Sequence, residues 1–277
     1  MSICSAEGDE GQMQIIIPMT GFGSRFSAAG YREIKPFISI GGKPIIQWIV
    51  DGMYPGETDF LFIVREDQIK RHDIRERLLA VRPDARVHVI RDWDKKGPVM
   101  DVLRAAGEIA DDAPAIINYC DFYMHWDWPA FKEALARRGC EGCIPCYTGF
   151  HPHLGPEKNL YASCRIDGDE NLIEIREKYS FTQDKTLSRH SPGTYYFRTG
   201  ALLKQYCARL VDSGQDINGE YYASLPYNFM VGDGLRVWVP ANVEYFCQWG
   251  TPEDMRESLF WIRAVQSALD GKEGAAC

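Results

Sequence analysis

No apolar run in this chain approaches the roughly 18 residues that a membrane-crossing helix requires, which excludes a helical membrane span. Positive charge is also in short supply: 31 Lys and Arg stand against 39 Asp and Glu, a formal net charge of −8. Non-specific binding to nucleic acid or an anionic membrane calls for a basic face, so any polyanion must be held by a local pocket. The opening MSICSAEGDEGQ has neither the positive n-region nor the apolar core of a signal peptide. Acidic and rich in small residues, residues 1–12 are expected to form a disordered leader on a cytoplasmic protein. Two standard phosphate signatures are missing as well. There is no Gly-x-x-x-x-Gly-Lys-Ser/Thr, and the Gly-x-Gly at Gly21 and Gly23 has Phe26 where a third glycine belongs. No internal repeat and no long Pro- or Ser-rich linker divides the chain.

Cysteine is plentiful, with nine residues, yet no disulfide framework is implied. CEGCIPC sets Cys140, Cys143 and Cys146 three apart, and HPH follows at His151–His153. That spacing suits a zinc or iron–sulfur site. It also suits a strand leaving a helix, in which residues three apart point to opposite faces and free cysteines serve as small buried hydrophobes. The second reading predicts a core segment.

What the chain does contain is apolar periodicity of two alternating kinds. MQIIIPM (13–19), DFLFIV, RVHVI and PAIINYCD are short continuous apolar runs, as expected of strands buried on both faces. Between them, PIIQWIVDGM (44–53), DQIKRHDIRERLLAV, PVMDVLRAAGEI and WPAFKEALARRG space their apolar residues helically. Strict alternation through residue 138 predicts an α/β fold with a doubly wound, mostly parallel sheet, whose ligand crevice lies beyond the carboxyl ends of its strands. After about residue 140 strands dominate: LYASCRIDGDENLIEIREK reads as two strands around a polar turn, with GTYYFRTG and RVWVP as others. Residues 13–277 are expected to form a single domain with a mixed sheet, its halves meeting near 139/140.

The segment IIIPMTGFGSRFSAAGYREIKPF (15–37) carries the clearest chemistry. A strand running into it puts Gly21 and Gly23 at the carboxyl edge of the sheet, where bare backbone lets phosphate approach the N–H groups. Arg25 can fork onto phosphate oxygens, and Lys35 adds a point charge. A turn of this kind suits a polyphosphate; an ordinary surface loop containing two glycines is the alternative.

The whole stretch resembles the nucleotidyltransferase family that activates sugar phosphates and related phosphomonoesters. The resemblance rests on GFGSRF, IKPF and GGKPII, and continues through NYCD, EIREK, GTYYF and QWGTPED, spanning residues 13–265. Two details depart from the pattern: PMTG replaces the usual small-residue opening, and Tyr179 rather than proline follows EIREK. The resemblance implies a Rossmann-like nucleotidyltransferase fold, with a nucleotide-binding half (13–139) and a β-rich acceptor-binding half (140–277). It implies that Gly21, Phe22, Gly23, Ser24, Arg25, Lys35 and Gly97 bind the nucleotide, and that Arg25, Lys35, Asp121 and Lys178 are catalytic. Glu177, Lys178, Thr194, Tyr195 and Glu220 are implied to face the acceptor. Asp121 is the implied ligand for Mg²⁺, or Mn²⁺. The family's second carboxylate comes from the strand before the last helix, where this chain has Gln248 and Gly250, so Asp254 is the nearest candidate. Asp101, on the helix after Gly97, reads as a surface residue.

The implied reaction joins an NTP to a phosphomonoester, such as a sugar phosphate, with release of pyrophosphate; neither base nor acceptor is legible. Two alternatives stay open. Trp126 and Trp128 of MHWDW suit an aromatic box for a quaternary ammonium, as in cytidylyl transfer to phosphocholine. The missing second carboxylate suits a regulatory relative that binds a nucleotide sugar without making it. A glycosyltransferase is disfavoured, because Asp121 and Asp127 are too far apart to form an Asp-x-Asp metal pair. Oligomeric state is not readable.

Overall fold

The structure is a computed structural model that describes residues 12–91, 93–149 and 161–273. The expected leader, apart from Gln12, and the His151–His153 segment lie outside the described residues.

Ile15, Ile16 and Ile17 are each fully buried, and they divide between two cores. Ile15 and Ile17 join Phe60 and Phe62 in one, while Ile16 joins Leu61 and Ile63 in the other. Successive strand residues point to opposite faces, so the sheet is covered on both sides, and its strands therefore read as unbroken apolar runs. From edge to edge the seven strands are Val237–Trp238, Gly142–Cys143, Thr194–Phe197, Ala115–Asn118, Gln14–Pro18, Phe60–Arg65 and Arg86–Ile90. Gln14–Pro18 is parallel to both its neighbours, and Phe60–Arg65 is parallel to Arg86–Ile90. Thr194–Phe197 is antiparallel to both of its neighbours. The result is the expected α/β, mostly parallel, mixed sheet. Strands are added on one side of Gln14–Pro18 and then, with Ala115–Asn118, on the other. At such a reversal the carboxyl ends of adjacent strands leave a crevice.

Two smaller sheets bear on the second half: antiparallel Leu172–Arg176, Ser163–Ile166 and Arg189–His190 within it, and a ribbon of Phe122–His125 with Tyr245–Gln248 that joins it to the first. The ribbon bears on the site. It brings the Trp249 amide to 2.9 Å from the Asp121 carbonyl, so the segment before the last helix, Pro252–Glu273, returns to the crevice. Among the described residues, no helix is long and apolar enough to cross a membrane.

Three expectations meet local differences. The helix foreseen over 67–81 is two helices, Glu66–His72 and Ile74–Val81, broken where Asp73 adopts φ 49°; aspartate tolerates this left-handed region better than most residues. Cys143 and Cys146 fall in different cores, the opposed arrangement of a strand, whereas Cys140, which precedes the short ladder Gly142–Cys143, shares the core of Cys143. Trp126 and Trp128 form no open box. They are 5% and 1% exposed, and their indole N–H groups donate to the Met53 carbonyl (2.8 Å) and to Glu57 Oε1 (3.1 Å).

Candidate active site

The crevice at the reversal point is an open cleft of about 490 Å³, walled by Gly21–Arg25, Lys35, Gly97, Asp121 and Glu220. The chain leaves Gln14–Pro18 through Thr20 and turns at Gly23, whose φ of 62° lies in the left-handed region that favours glycine. The short helix Ser24–Ala28 follows, with Phe26 buried beneath it and Arg25 exposed toward the cleft. Among the described residues, Arg25 has no ion-pair partner. Lys35 is far less exposed. Its Nζ lies 2.8 Å from Asp121 Oδ2, 3.4 Å from the Gly250 carbonyl and 5.6 Å from the centre of the Phe26 ring.

Asp121 stands three residues beyond the strand Ala115–Asn118, at the corner into Phe122–His125. Its side chain keeps 37% exposure beside Lys35. Cys120 also borders the cleft, but burial pushes its thiol up to about 12, which removes it as a nucleophile at neutral pH.

Gly97 is required by its neighbours. Its φ is 87°, and a Cβ there would stand 2.7 Å from both the N and the O of Tyr221. The missing side chain lets the start of helix Pro98–Arg104 pack on the 220–222 segment, with Tyr221 N donating to Lys96 O (2.8 Å) and Val99 N to Tyr221 O (3.2 Å). That contact carries Glu220 and Tyr222 into the cleft. Glu220 Oε1 pairs with Lys95 Nζ at 2.5 Å. Tyr222 accepts from Lys178 Nζ at 3.4 Å, linking the cleft to a lysine that is itself exposed and sits at φ 52°.

The other acceptor-side residues are placed differently. Glu177 accepts from the Ser224 hydroxyl, and burial holds its carboxyl above the usual range despite that bond and the Lys178 charge. Thr194 and Tyr195 lie in the core. Thr194 is fully buried, its hydroxyl donating to Asn118 Oδ1 at 2.6 Å, and Tyr195 is 2% exposed against Tyr119 and Tyr227. Their strand sends Tyr196 into one core and Tyr195 and Phe197 into the other, so both of its faces are covered, and neither Thr194 nor Tyr195 lines the cleft. Asp254 closes a reciprocal cap at the start of the last helix: Thr251 N donates to its Oδ2 (2.7 Å), and its own N donates to Thr251 Oγ1 (3.2 Å). Gly250 brings it near the same corner, since a Cβ there would lie 3.6 Å from Asp254 Oδ2.

One member of the site departs from its expected position altogether. Asp101 is 3% exposed, not a surface residue. It faces the cleft and accepts from the Thr20 hydroxyl and from Trp93 Nε1 (3.0 Å), with Arg104 Nη1 3.5 Å away. Burial pushes its carboxyl up to about 6, against the pull of those hydrogen bonds and of Arg104. Trp93, Lys95 and Tyr222 also line the cleft, and none of them carries a local sequence signal.

Solved structures similar to this chain include the nucleoside-diphosphate-sugar pyrophosphorylase from Vibrio cholerae RC9, at 19% identity and a TM-score of 0.72, covering 89% of this chain and 99% of that one. A UDP-glucose pyrophosphorylase complexed with UDP-glucose matches at 14% identity and 0.69, covering 91% and 99%. The inositol-1-phosphate CTP transferase from T. maritima matches at 14% and 0.66, covering 88% and 91%. At such identities the likeness shows the fold. No curated protein sequence matches the chain. The family model of the MobA-like NTP transferase domain matches residues 15–183, more than half of the sequence, and the chain belongs to that family.

Proposed function

We propose that this protein transfers the nucleotidyl group of an NTP to a phosphomonoester, in the first instance a sugar phosphate, releasing pyrophosphate and giving a nucleotide-activated metabolite. The observation that carries this reading is the 2.8 Å pair of Lys35 and Asp121, set in the same cleft as the Gly21–Arg25 loop. Cations and a carboxylate converge there on a space bordered by bare backbone, at the carboxyl ends of the strands. Its similarity to sugar-nucleotide pyrophosphorylases supports a sugar phosphate as acceptor. The burial of Trp126 and Trp128 removes the support for a quaternary-ammonium box.

A phosphomonoester has a second pKa near 6, so at neutral pH its oxygen is already a nucleophile and needs no general base. That oxygen bonds to the α-phosphorus as the bond from α-phosphorus to the bridging oxygen breaks, and pyrophosphate leaves with the electron pair. The protein's work is to position and neutralise. Arg25 and Lys35 hold the triphosphate and the departing pyrophosphate; Lys178, steadied by the Tyr222 hydroxyl, orients the acceptor phosphate, and Glu177 fixes the strand end that carries Lys178.

The donor set fits a hard divalent cation. Asp121 offers carboxylate oxygen at the cleft, and Mg²⁺ commonly takes one or two carboxylates and fills its remaining positions with phosphate oxygens and water. Asp121, with Asp254 as the second carboxylate, would hold Mg²⁺ or Mn²⁺, and the ion would supply neutralisation of triphosphate charge. The test is a pyrophosphate-release screen of ATP, CTP, GTP, UTP and dTTP against sugar 1-phosphates, phosphocholine and other phosphomonoesters. Release that requires both substrates supports the proposal. Tight binding of a nucleotide sugar without release from any pair would favour the regulatory alternative.

A further inference from the structure

Asp101 is a carboxylate buried at the margin of a cleft that has to admit a polyanion, and the transfer chemistry gives it no task. Its contacts define what it holds. One oxygen accepts from Thr20, where the chain leaves the first strand, and the other accepts from the Trp93 indole, on the loop after the edge strand Arg86–Ile90. These are two different walls of the cleft. Behind them lies Arg65, 6% exposed, which donates to the Thr20 carbonyl and is held by Asp67. Its guanidinium sits 4.3 Å from the centre of the Phe22 ring and 5.1 Å from that of Trp93. The two rings meet edge to face at 5.0 Å.

Phe22 is nevertheless 63% exposed. A large aromatic side chain in open solvent, backed by a buried guanidinium and locked to a second ring, is a preorganised planar surface lacking its apolar partner. The sheet order gives that partner a direction. Asp121 follows the strand on one side of Gln14–Pro18, whereas Arg65 ends, and Trp93 follows, the strands on the other. The aromatic wall therefore stands across the Gly21–Arg25 loop from the Lys35–Asp121 pair, where the nucleoside of an NTP lies if its phosphates point toward Asp121.

Resting on the nucleotidyl-transfer reading, we infer that Phe22 and Trp93 form the surface against which the nucleobase packs, and that Asp101 is a positioning residue that holds this surface in place by tying Trp93 to Thr20. The tie predicts a specific coupling. Asp101→Ala leaves the indole N–H without an acceptor, and Trp93→Phe removes the donor but keeps a ring. Each breaks the same link, so their effects on nucleotide affinity do not multiply. Asp101→Asn can still accept from Trp93 and donate to the Thr20 hydroxyl, and it rescues.

The experiment is calorimetry of the full-length protein with Mg²⁺ and ATP, CTP, GTP, UTP or dTTP, continued with the tightest binder, alongside steady-state kinetics with each substrate varied. Loss of one buried hydrogen bond predicts a rise of about tenfold in NTP Kd for Asp101→Ala and for Trp93→Phe, and about the same for the double variant. The acceptor KM stays within about twofold of wild type, and Asp101→Asn restores most of the affinity. Saturating NTP quenches tryptophan emission in the wild type and not in Trp93→Phe, a readout that survives even if Asp101→Ala fails to fold. Multiplying losses, equal movement of both KM values, or a quench that persists without Trp93 would overturn the inference. If a nucleotide binds and turns over but is indifferent to both residues, this inference alone falls; if no nucleotide binds wild type, it falls together with the proposed function.

Discussion

Replacing Asp101 by asparagine is expected to make the substrate-free protein more stable at pH 8. Desolvation is the largest influence on this carboxyl and raises it from 3.8 to about 6. The native state therefore holds the proton more tightly than the unfolded chain does. Stability from this group is fullest below pH 4, falls as pH rises toward 6, and is flat above. At about 1.4 kcal/mol per tenfold change in proton affinity, ionised Asp101 costs the native state on the order of 3 kcal/mol. Asparagine resembles the protonated acid and recovers much of that, less whatever its amide loses in hydrogen-bond geometry toward Thr20. The expected gain is about 1–3 kcal/mol at pH 8 and about half of that at pH 5, where native Asp101 is mostly protonated but the unfolded chain's carboxyl is already ionised. For a chain of this length each kcal/mol moves Tm by about 2 °C, so the rise at pH 8 is roughly 2–6 °C. Urea unfolding followed by circular dichroism at both pH values measures it directly. An Asp101→Asn protein whose stability relative to wild type does not rise between pH 5 and pH 8 would show that Arg104, Thr20 and Trp93 offset desolvation, and the reasoning would be refuted.

Other perturbations separate the parts of the site. Asp121→Asn should abolish turnover, by about a hundredfold or more, while changing stability by less than about 1 kcal/mol because the pair with Lys35 is partly exposed; full wild-type activity in excess chelator would remove the case for a divalent ion. Arg25→Ala should weaken NTP binding, whereas Lys178→Ala should spare it and raise the acceptor KM or lower kcat, with a loss of about tenfold to a hundredfold for one charged contact; calorimetry with both variants would expose the opposite pattern. Gly97→Ala should cost at least about 2 kcal/mol, since the new methyl meets Tyr221 backbone at a φ that L-residues avoid, and wild-type stability in denaturant would contradict the packing described.

Some of this was legible in the sequence because the physics is local. Ile15–Ile17 announced a strand covered on both faces, and the glycine turn after it announced a cleft at the strand's carboxyl end. Other features depend on partners far along the chain. Thr194 and Tyr195 were expected at the acceptor, but the cores packed on both faces of their strand bury them, and GTYYF alone does not say what packs there. Asp101 looked like a solvated helix residue because Thr20, which buries it, is 81 positions away. Asp73 breaks a helix that periodicity joined, since apolar spacing is blind to a single left-handed residue. Asp254 was readable both ways: Thr251 followed three residues later by an acid is a helix-start signature, and Asp254 is the carboxylate nearest to Gln248 and Gly250, where the family's second carboxylate belongs.

The central claim is that the acceptor's own phosphate oxygen attacks the α-phosphorus. The most direct test supplies a productive acceptor whose phosphoryl oxygens are all ¹⁸O and follows both products by mass spectrometry. The account predicts a nucleotide-linked product that keeps every labelled oxygen, formed in equal amount with unlabelled pyrophosphate. Label in the pyrophosphate, or pyrophosphate released with free nucleoside monophosphate and no coupled product, would contradict it.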